Sequence, residues 1–353
     1  MTDEMLMPAT ALPFDPDLLF RRINEPGYMN AVSMEDIYGM VFTGKPWIIE
    51  GLLPLGLCIL AGGSKLGKSF MSAQIAYYVS TGRPLWGRPV QQSPVLYLAL
   101  EDNHRRLQSR LFRMFGVEST HGLFFSIEAK TLREGLIEQL QTFLRDHPET
   151  RLIIIDTLKK VRNVDENANC YAHDYDDMGI LKQFADSNNI CLLIIHHTRK
   201  QQDLNDPFNN ISGTTGLMGA ADTTFVLSKS CRTDSEITLQ LTGRDVSDQK
   251  LYLTRDKEHL TWELDHEEVD NFSLPPDPVL DALSQLVNAA SPQWFGSPTE
   301  LAALVTEDIS PIAFTKHLNI NAARLLKEYS IQYQRKATHE GRRISLVFLQ
   351  PEE

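Results

Sequence analysis

The sequence predicts an α/β fold: a doubly wound, mainly parallel sheet with an N-terminal arm and a small C-terminal winged-helix-like domain. Three observations predict it. Four short apolar runs, LCILAGG (57–63), PVLYLAL (94–100), RLIIIDT (151–157) and ICLLIIHH (190–197), are continuous rather than alternating, as strands buried on both faces are. Between them lie helical patterns near Ser69 to Ser80, Arg105 to Phe115, Arg133 to Arg145 and Tyr171 to Ser187, the rhythm of parallel crossovers. Closely spaced runs then follow at DTTFVLS (222–228), EITLQLTG (236–243), KLYLTR (250–255) and LTWEL (260–264), expected to finish the sheet as antiparallel strands.

Taken in order, residues 1–45 carry Pro8, Pro13, Pro16 and Pro26 and little periodicity, so they read as an arm. One short helix is expected near Met34 to Met40, N-capped by Ser33 with Asp36 three residues on. Residues 46–268 hold the alternating strands and helices. The prolines of NFSLPPDPV (271–279) punctuate a boundary, and a separate domain is expected over 269–353. That domain shows helical stretches at Val279 to Ala289, Thr299 to Thr306 and Ala322 to Tyr329. A strand pair, SIQYQRKA (330–337) and RRISLVFL (342–349), turns at Glu340 and Gly341.

Composition bounds the function classes. With 353 residues, 42% hydrophobic and 23% charged, the chain has ordinary globular composition, and two folded units are the default. A net charge of -12 argues against a dedicated basic nucleic-acid module while leaving local basic loops open. Cys58, Cys170, Cys191 and Cys231 form no CxxC pair, so neither a zinc site nor a disulfide framework is indicated. The N-terminus has acids and prolines where a signal peptide has a basic start, and no run approaches the roughly 20 apolar residues of a membrane span. A reducing, cytoplasmic setting without membrane contact is expected.

The chemistry is carried by GGSKLGKS, residues 62–69, which satisfies G-x-x-x-x-G-K-[ST] between an apolar strand and a helix. Glycines let backbone amides turn inward around phosphate oxygens, and the helix N-terminus adds its positive end. The expected nucleotide site is Gly62, Gly63, Ser64, Lys65, Leu66, Gly67, Lys68, Ser69 and Phe70. Lys68 reaches the β- and γ-phosphates of ATP, and Ser69 is a ligand of magnesium. Asp156, ending LIIID, is expected to support the same Mg2+ from the carboxyl end of its strand. In YLALEDN, Glu101 and Asp102 compete as the carboxylate that orients water and accepts its proton. His196 and His197 end the ICLLII strand, where a polar group, His197 by preference, can sense the γ-phosphate.

Phosphate loop, glutamate after the second strand, aspartate after the third and HHTRK after the fourth resemble RecA-like P-loop ATPases. More narrowly, PWIIEGLLPLGLCILAGGSKLGKS, LYLALEDN, LLIIHHTRK and ISGTTGLMGAADTTFVL resemble, in order, the RepA-type hexameric replicative helicases of plasmids, phages and mobile elements, over about residues 45–265. The resemblance selects Glu101 over Asp102 as the base. It implies a homo-oligomeric ring, most often hexameric, and single-stranded DNA as partner. It places Arg244 of LTGRD as an arginine finger acting on a neighbour, and DNA-facing loops at Lys159, Lys160 and Arg162 and from Arg199 to Gly216. The chain departs from that pattern in having few cations in these loops and an acidic DENANCYAHDYDD segment, where strand-tracking channels use basic and aromatic side chains. Lys316, Arg324, Lys327, Arg335, Lys336, Arg342 and Arg343 in the C-terminal segment fit either a backbone-contacting face or a solvated surface. A nucleotide-gated, ring-forming regulatory protein with slow ATPase activity is the alternative function. A small-substrate kinase leaves HHTRK and the Gly213 to Asp222 segment without a role.

Overall fold

The computed structural model describes residues 29, 31–42, 47–162, 170–199, 203, 206–212, 215–229, 236–269, 275–306, 309–338 and 341–350. The arm before Met29, parts of the expected loop from Arg199 to Gly216 (residues 200–202, 204–205 and 213–214), and residues 165–169 of the acidic segment lie outside them. Two compact units emerge, one drawn from residues 45–274 and the other from 1–44 together with 275–353. The first helix, α1 (Met34–Gly39), belongs to the second unit; as expected, the Ser33 hydroxyl accepts from the Asp36 amide at its start.

The larger unit opens with a small antiparallel pair, β1 (Trp47–Ile49) and β2 (Leu53–Pro54). Its centre is a nine-stranded sheet among the described residues, in the order β11-β10-β9-β8-β3-β7-β6-β4-β5. The strands are β3 (Gly56–Gly62), β4 (Val95–Ala99), β5 (Leu123–Ser126), β6 (Leu152–Asp156), β7 (Cys191–His197), β8 (Thr223–Ser228), β9 (Glu236–Gly243), β10 (Gln249–Arg255) and β11 (Trp262–Val269). From β5 to β8 every pairing is parallel; from β8 to β11 every pairing is antiparallel.

Each apolar run is continuous because its residues feed two cores in alternation. Cys58 and Leu60 of β3, with Leu193 and Ile195 of β7, join one core. Leu57, Ile59 and Ala61, with Leu192 and Ile194, join the other. On the first face lie α2 (Lys68–Thr81) through Met71, Ala76 and Val79, and α3 (His104–Phe115) through Leu107 and Met114. On the second lie α4 (Leu136–Asp146) through Leu136 and Leu140, and α6 (Cys170–Asn188) through Met178, Leu181 and Phe184. The short helices α5 (Leu158–Val161) and α7 (Thr215–Ala220) complete that face with Leu158, Val161 and Leu217. Helices on both faces of a parallel sheet make the doubly wound architecture. The antiparallel strands instead send alternate residues, Ile237, Leu239 and Leu241 on β9 and Leu251 and Leu253 on β10, into the first core alone. One face covered and one open is the alternation expected of antiparallel strands.

The smaller unit has its own core, around Leu280, Leu283, Leu301, Phe314, Leu325, Tyr333 and Leu346. Its helices are α8 (Pro278–Leu286), α9 (Pro298–Val305), α10 (Pro311–Ile320) and α11 (Ala322–Tyr329). Asp277, Ser297 and Ser310 cap the first three, each followed by proline at the first helical position, where the missing amide costs nothing. The strands β12 (Gln293–Gly296), β13 (Ile331–Thr338) and β14 (Gly341–Phe348) form an antiparallel sheet in the order β12-β14-β13. Neither α10 nor β12 is foreseen from the sequence. Two of the four buried residues on α10, Thr315 and Asn319, are polar, which blurs its apolar period. Asn319 is satisfied inside, accepting from the Tyr333 hydroxyl at 2.8 Å and donating to the Tyr38 carbonyl at 3.0 Å.

Candidate nucleotide-binding site

Four neighbouring parallel strands, β3, β7, β6 and β4, bring Gly62, His197, Asp156 and Glu101 to one edge of the sheet. Gly62 pairs in register with His197, and Asp156 with Ala99, two residues before Glu101. Strands in a sheet lie roughly 4.8 Å apart, so four residues distant in sequence converge on the carboxyl edge, where open α/β sheets bind ligands.

The loop leaving β3 makes the cradle. Gly67 has φ 95° and Lys65 φ 65°, a pair of left-handed residues that turns the chain into α2. Space also demands glycine: a Cβ on Gly67 would lie 2.8 Å from the Trp262 ring, and one on Gly62 would lie 2.8 Å from the Leu227 carbonyl oxygen. Ser64 and Lys65 face solvent, whereas Lys68 is only 6% exposed. Its Nζ donates to the Gly62 and Gly63 carbonyls at 2.8 and 2.9 Å. Burial pushes the Lys68 amine below the usual lysine range, with Asp156 and Glu101 pulling back toward the charged form. A nearly buried ammonium held by its own loop is poised to exchange two carbonyls for an anion.

Asp156 is 5% exposed and accepts from the Tyr97 hydroxyl at 2.9 Å. Burial raises its carboxyl above the usual range, while hydrogen bonds from Ser69 and Tyr97 oppose that rise. Ser69 and Asp156 are thus close enough to interact, the arrangement a shared magnesium environment would use. Among the described residues no group of three His, Cys, Asp or Glu side chains could hold a metal by itself. The donor set fits an ion bound jointly with nucleotide phosphates.

The two candidate bases have different surroundings. Asp102 is committed to cations: Arg110 lies 2.7 Å away and Arg106 3.3 Å. Glu101 is exposed and receives a hydrogen bond from the Thr157 hydroxyl at 3.2 Å. Of the two histidines, His196 Nε2 donates to the Ser212 carbonyl oxygen at 2.7 Å. His197 Nδ1 is buried with no hydrogen-bond partner among the described residues. Burial drives both imidazoles below the usual histidine range, and nearby Lys68 pushes His197 further the same way.

Phe70, in the first turn of α2, has two guanidiniums over its ring, Arg255 4.4 Å and Arg110 5.0 Å from the ring centre. Beneath the loop, Trp262 exchanges backbone hydrogen bonds with the Gln74 amide at 2.7 and 2.8 Å. Sequence reasoning does not single out Arg110, Arg255, Tyr97, Thr157 or Trp262. Tyr97 leaves a trace, as the one residue with a polar tip in the apolar run PVLYLAL; Trp262 leaves none, because only folding brings it under residue 67.

Arg244 is not with the others. It follows Gly243, which pairs with Thr223, which pairs with Cys58, four residues before Gly62. At about 3.3 Å per residue it sits more than ~13 Å from its own phosphate loop, at the opposite edge of the sheet. There its guanidinium donates to the Gly219 carbonyl at 2.9 Å and lies 3.7 Å from Asp222. Lys159 and Lys160 are exposed on α5, but Arg162 is bound by Asp174 at 2.5 Å and Asp177 at 2.7 Å.

Residues 24–203 match a family model described as AAA domain. Similar solved structures include one described as an ATPase domain, with TM-score 0.50 and 13% identity over 59% of this chain and 84% of that one. Another is a DnaB-like replicative helicase, described with its interactions with primase, with TM-score 0.52 and 12% identity over 70% of each chain. At these identities the likeness is one of fold. No curated protein matches the chain.

Proposed function

The chain belongs to the AAA domain family, as a P-loop ATPase of RecA-like fold, and from that premise we propose an ATP-hydrolysing motor on single-stranded DNA. We assign it to the kind found in RepA-type replicative helicases of plasmids, phages and integrative elements, working as a ring. The observation that carries the reading is the alignment of Gly62, His197, Asp156 and Glu101 at four adjacent strand ends around a buried Lys68. The likeness of the fold to a DnaB-like replicative helicase supports it.

In this reading the loop amides from Gly62 to Ser69 hold the phosphates, and Lys68 moves from its carbonyl partners to the β- and γ-oxygens. A magnesium ion held by Ser69 and Asp156 neutralises charge on those oxygens when bound. Glu101, oriented by Thr157, takes the proton of the attacking water. His197 reads the γ-phosphate from the strand beside the loop, and its strand leads directly into the segment from Arg199 onward. Arg244 lies too far from its own loop to act there, so it serves the nucleotide of a neighbouring subunit. In phosphoryl transfer such a cation supplies about 10³–10⁵ in rate.

Steady-state ATP hydrolysis with and without single-stranded DNA tests the reading. Stimulation by DNA, abolished in Lys68→Ala, is expected, together with ATP-dependent strand separation. Unaltered hydrolysis in Lys68→Ala would remove the assignment of the site. The second reading, a nucleotide-gated regulatory ring, is favoured by the capture of Arg162 between two aspartates, which takes a cation from the expected DNA loop. A DNA-indifferent rate without strand separation would decide for it.

A further inference from the structure

The smaller unit concentrates positive charge in a chain of net charge -12: residues 311–349 contain seven lysines and arginines against two glutamates. Folding gathers several of them around one cavity of about 530 Å³, lined by Glu35, Asp36, Ile312, Lys316, Arg335 and Arg342 among others. Arg335 and Arg342 come from the two strands of the β13–β14 hairpin and point the same way as the buried Tyr333 and Ile344. The first turns of α9 and α10, whose backbone amides carry partial positive charge, also border the cavity.

Three features indicate an anionic polymer. Arg335 and Arg342 form no ion pair among the described residues. Lys316 does have a partner, the Glu35 carboxylate of α1, so an acidic oxygen already occupies one cationic corner. On the other face of the same hairpin, Lys336 stands directly opposite Arg343 in register, and Arg343 also reaches the Glu300 carboxylate at 3.8 Å. Like charges directly opposite each other repel. Cations on both faces of one hairpin end suit a ligand carrying several phosphates in a row, which a single small anion cannot match.

We propose that this cavity and the hairpin beside it bind the phosphodiester backbone of nucleic acid, with Glu35 as an internal competitor for Lys316. The site is independent of the nucleotide loop and works without ATP. Backbone contacts of this kind give salt-dependent, sequence-tolerant affinity, with each neutralised phosphate adding roughly 0.7–0.9 to the slope of log affinity against log salt.

The test is fluorescence anisotropy of labelled oligonucleotides, single-stranded and duplex, on the full chain without nucleotide or magnesium. Arg335→Gln/Arg342→Gln should weaken binding at least tenfold and lower the salt slope by roughly 1.5. Glu35→Gln should tighten binding several-fold at low salt, a gain that misfolding cannot produce. Binding should be the same with and without ATP and magnesium, which separates this site from the ATPase reading. Parent-like binding by both Arg335→Gln/Arg342→Gln and Glu35→Gln would overturn the proposal. So would full displacement of the oligonucleotide by millimolar inorganic phosphate, which would make the cavity a small-anion site.

Discussion

Replacing Gly67 with alanine should damage the nucleotide site through Trp262, a residue 195 positions away in sequence. Two costs add. Gly67 has φ 95°, and holding an L-residue in the left-handed region costs roughly 1–2 kcal/mol. The new Cβ would also stand 2.8 Å from Trp262 Cζ2. That ring is 3% exposed, and its backbone is clamped by Gln74 and by the Trp86 indole at 2.7 Å, so it has nowhere to retreat. Forcing a methyl into such packing costs about 1–3 kcal/mol. A total near ~3 kcal/mol lowers the melting temperature of a unit this size by roughly 6–12 °C. It also shifts the loop amides, weakening a fluorescent ATP analogue. Thermal melting and analogue titration measure both effects. A cycle with Trp262→Leu separates them: in that background the alanine should cost only the backbone share, about 1–2 kcal/mol. A Gly67→Ala variant with parental melting and affinity would refute the reasoning, as would an undiminished cost beside leucine.

Three further outcomes follow from the geometry. Glu101→Gln should cut kcat by about 10²–10⁴ with ATP affinity retained, whereas Asp102→Asn, whose carboxylate is engaged by Arg106 and Arg110, should change kcat far less; equal losses in steady-state assays would contradict this. Arg244→Ala should leave ATP binding by isolated subunits intact and suppress hydrolysis on assembly, so mixtures with parental chains should lose activity more steeply than in proportion to the variant fraction. Burial depresses the pKa of His196 and His197, so the unfolded chain takes up protons before the folded one does. Their share of stability is therefore complete above about pH 6.5 and lost as pH falls toward the lowered folded values; melting scans across that range should show the loss, and His196→Gln should flatten it.

The sequence by itself determined the phosphate loop and most of the large unit. A phosphate loop is contiguous, so the spacing from Gly62 to Ser69 is legible without any partner. Runs such as LIIID and CLLII betray strands buried on both faces because every residue must be apolar. Their ends mark Asp156 and His197, since strand order is all that is needed to bring them to one edge. The four-residue strand β5 escaped notice: its residues are all half-buried at the sheet margin, and so short a run has no measurable period. The helix α10 escaped because Thr315 and Asn319 interrupt its apolar face.

Tertiary structure alone decided what depends on pairs distant along the chain. It placed Arg110 against Asp102, set Tyr97 on Asp156, and slid Trp262 beneath Gly67. It put Arg244 at the far edge of the sheet, where an antiparallel register rather than any motif determines its place. It joined α1 to the C-terminal unit, setting Glu35 against Lys316 across 281 positions. Local pattern reports which face of an element is apolar; it holds no information on which distant side chain closes the remaining hydrogen bond or fills the remaining space, because that is settled only when the elements pack.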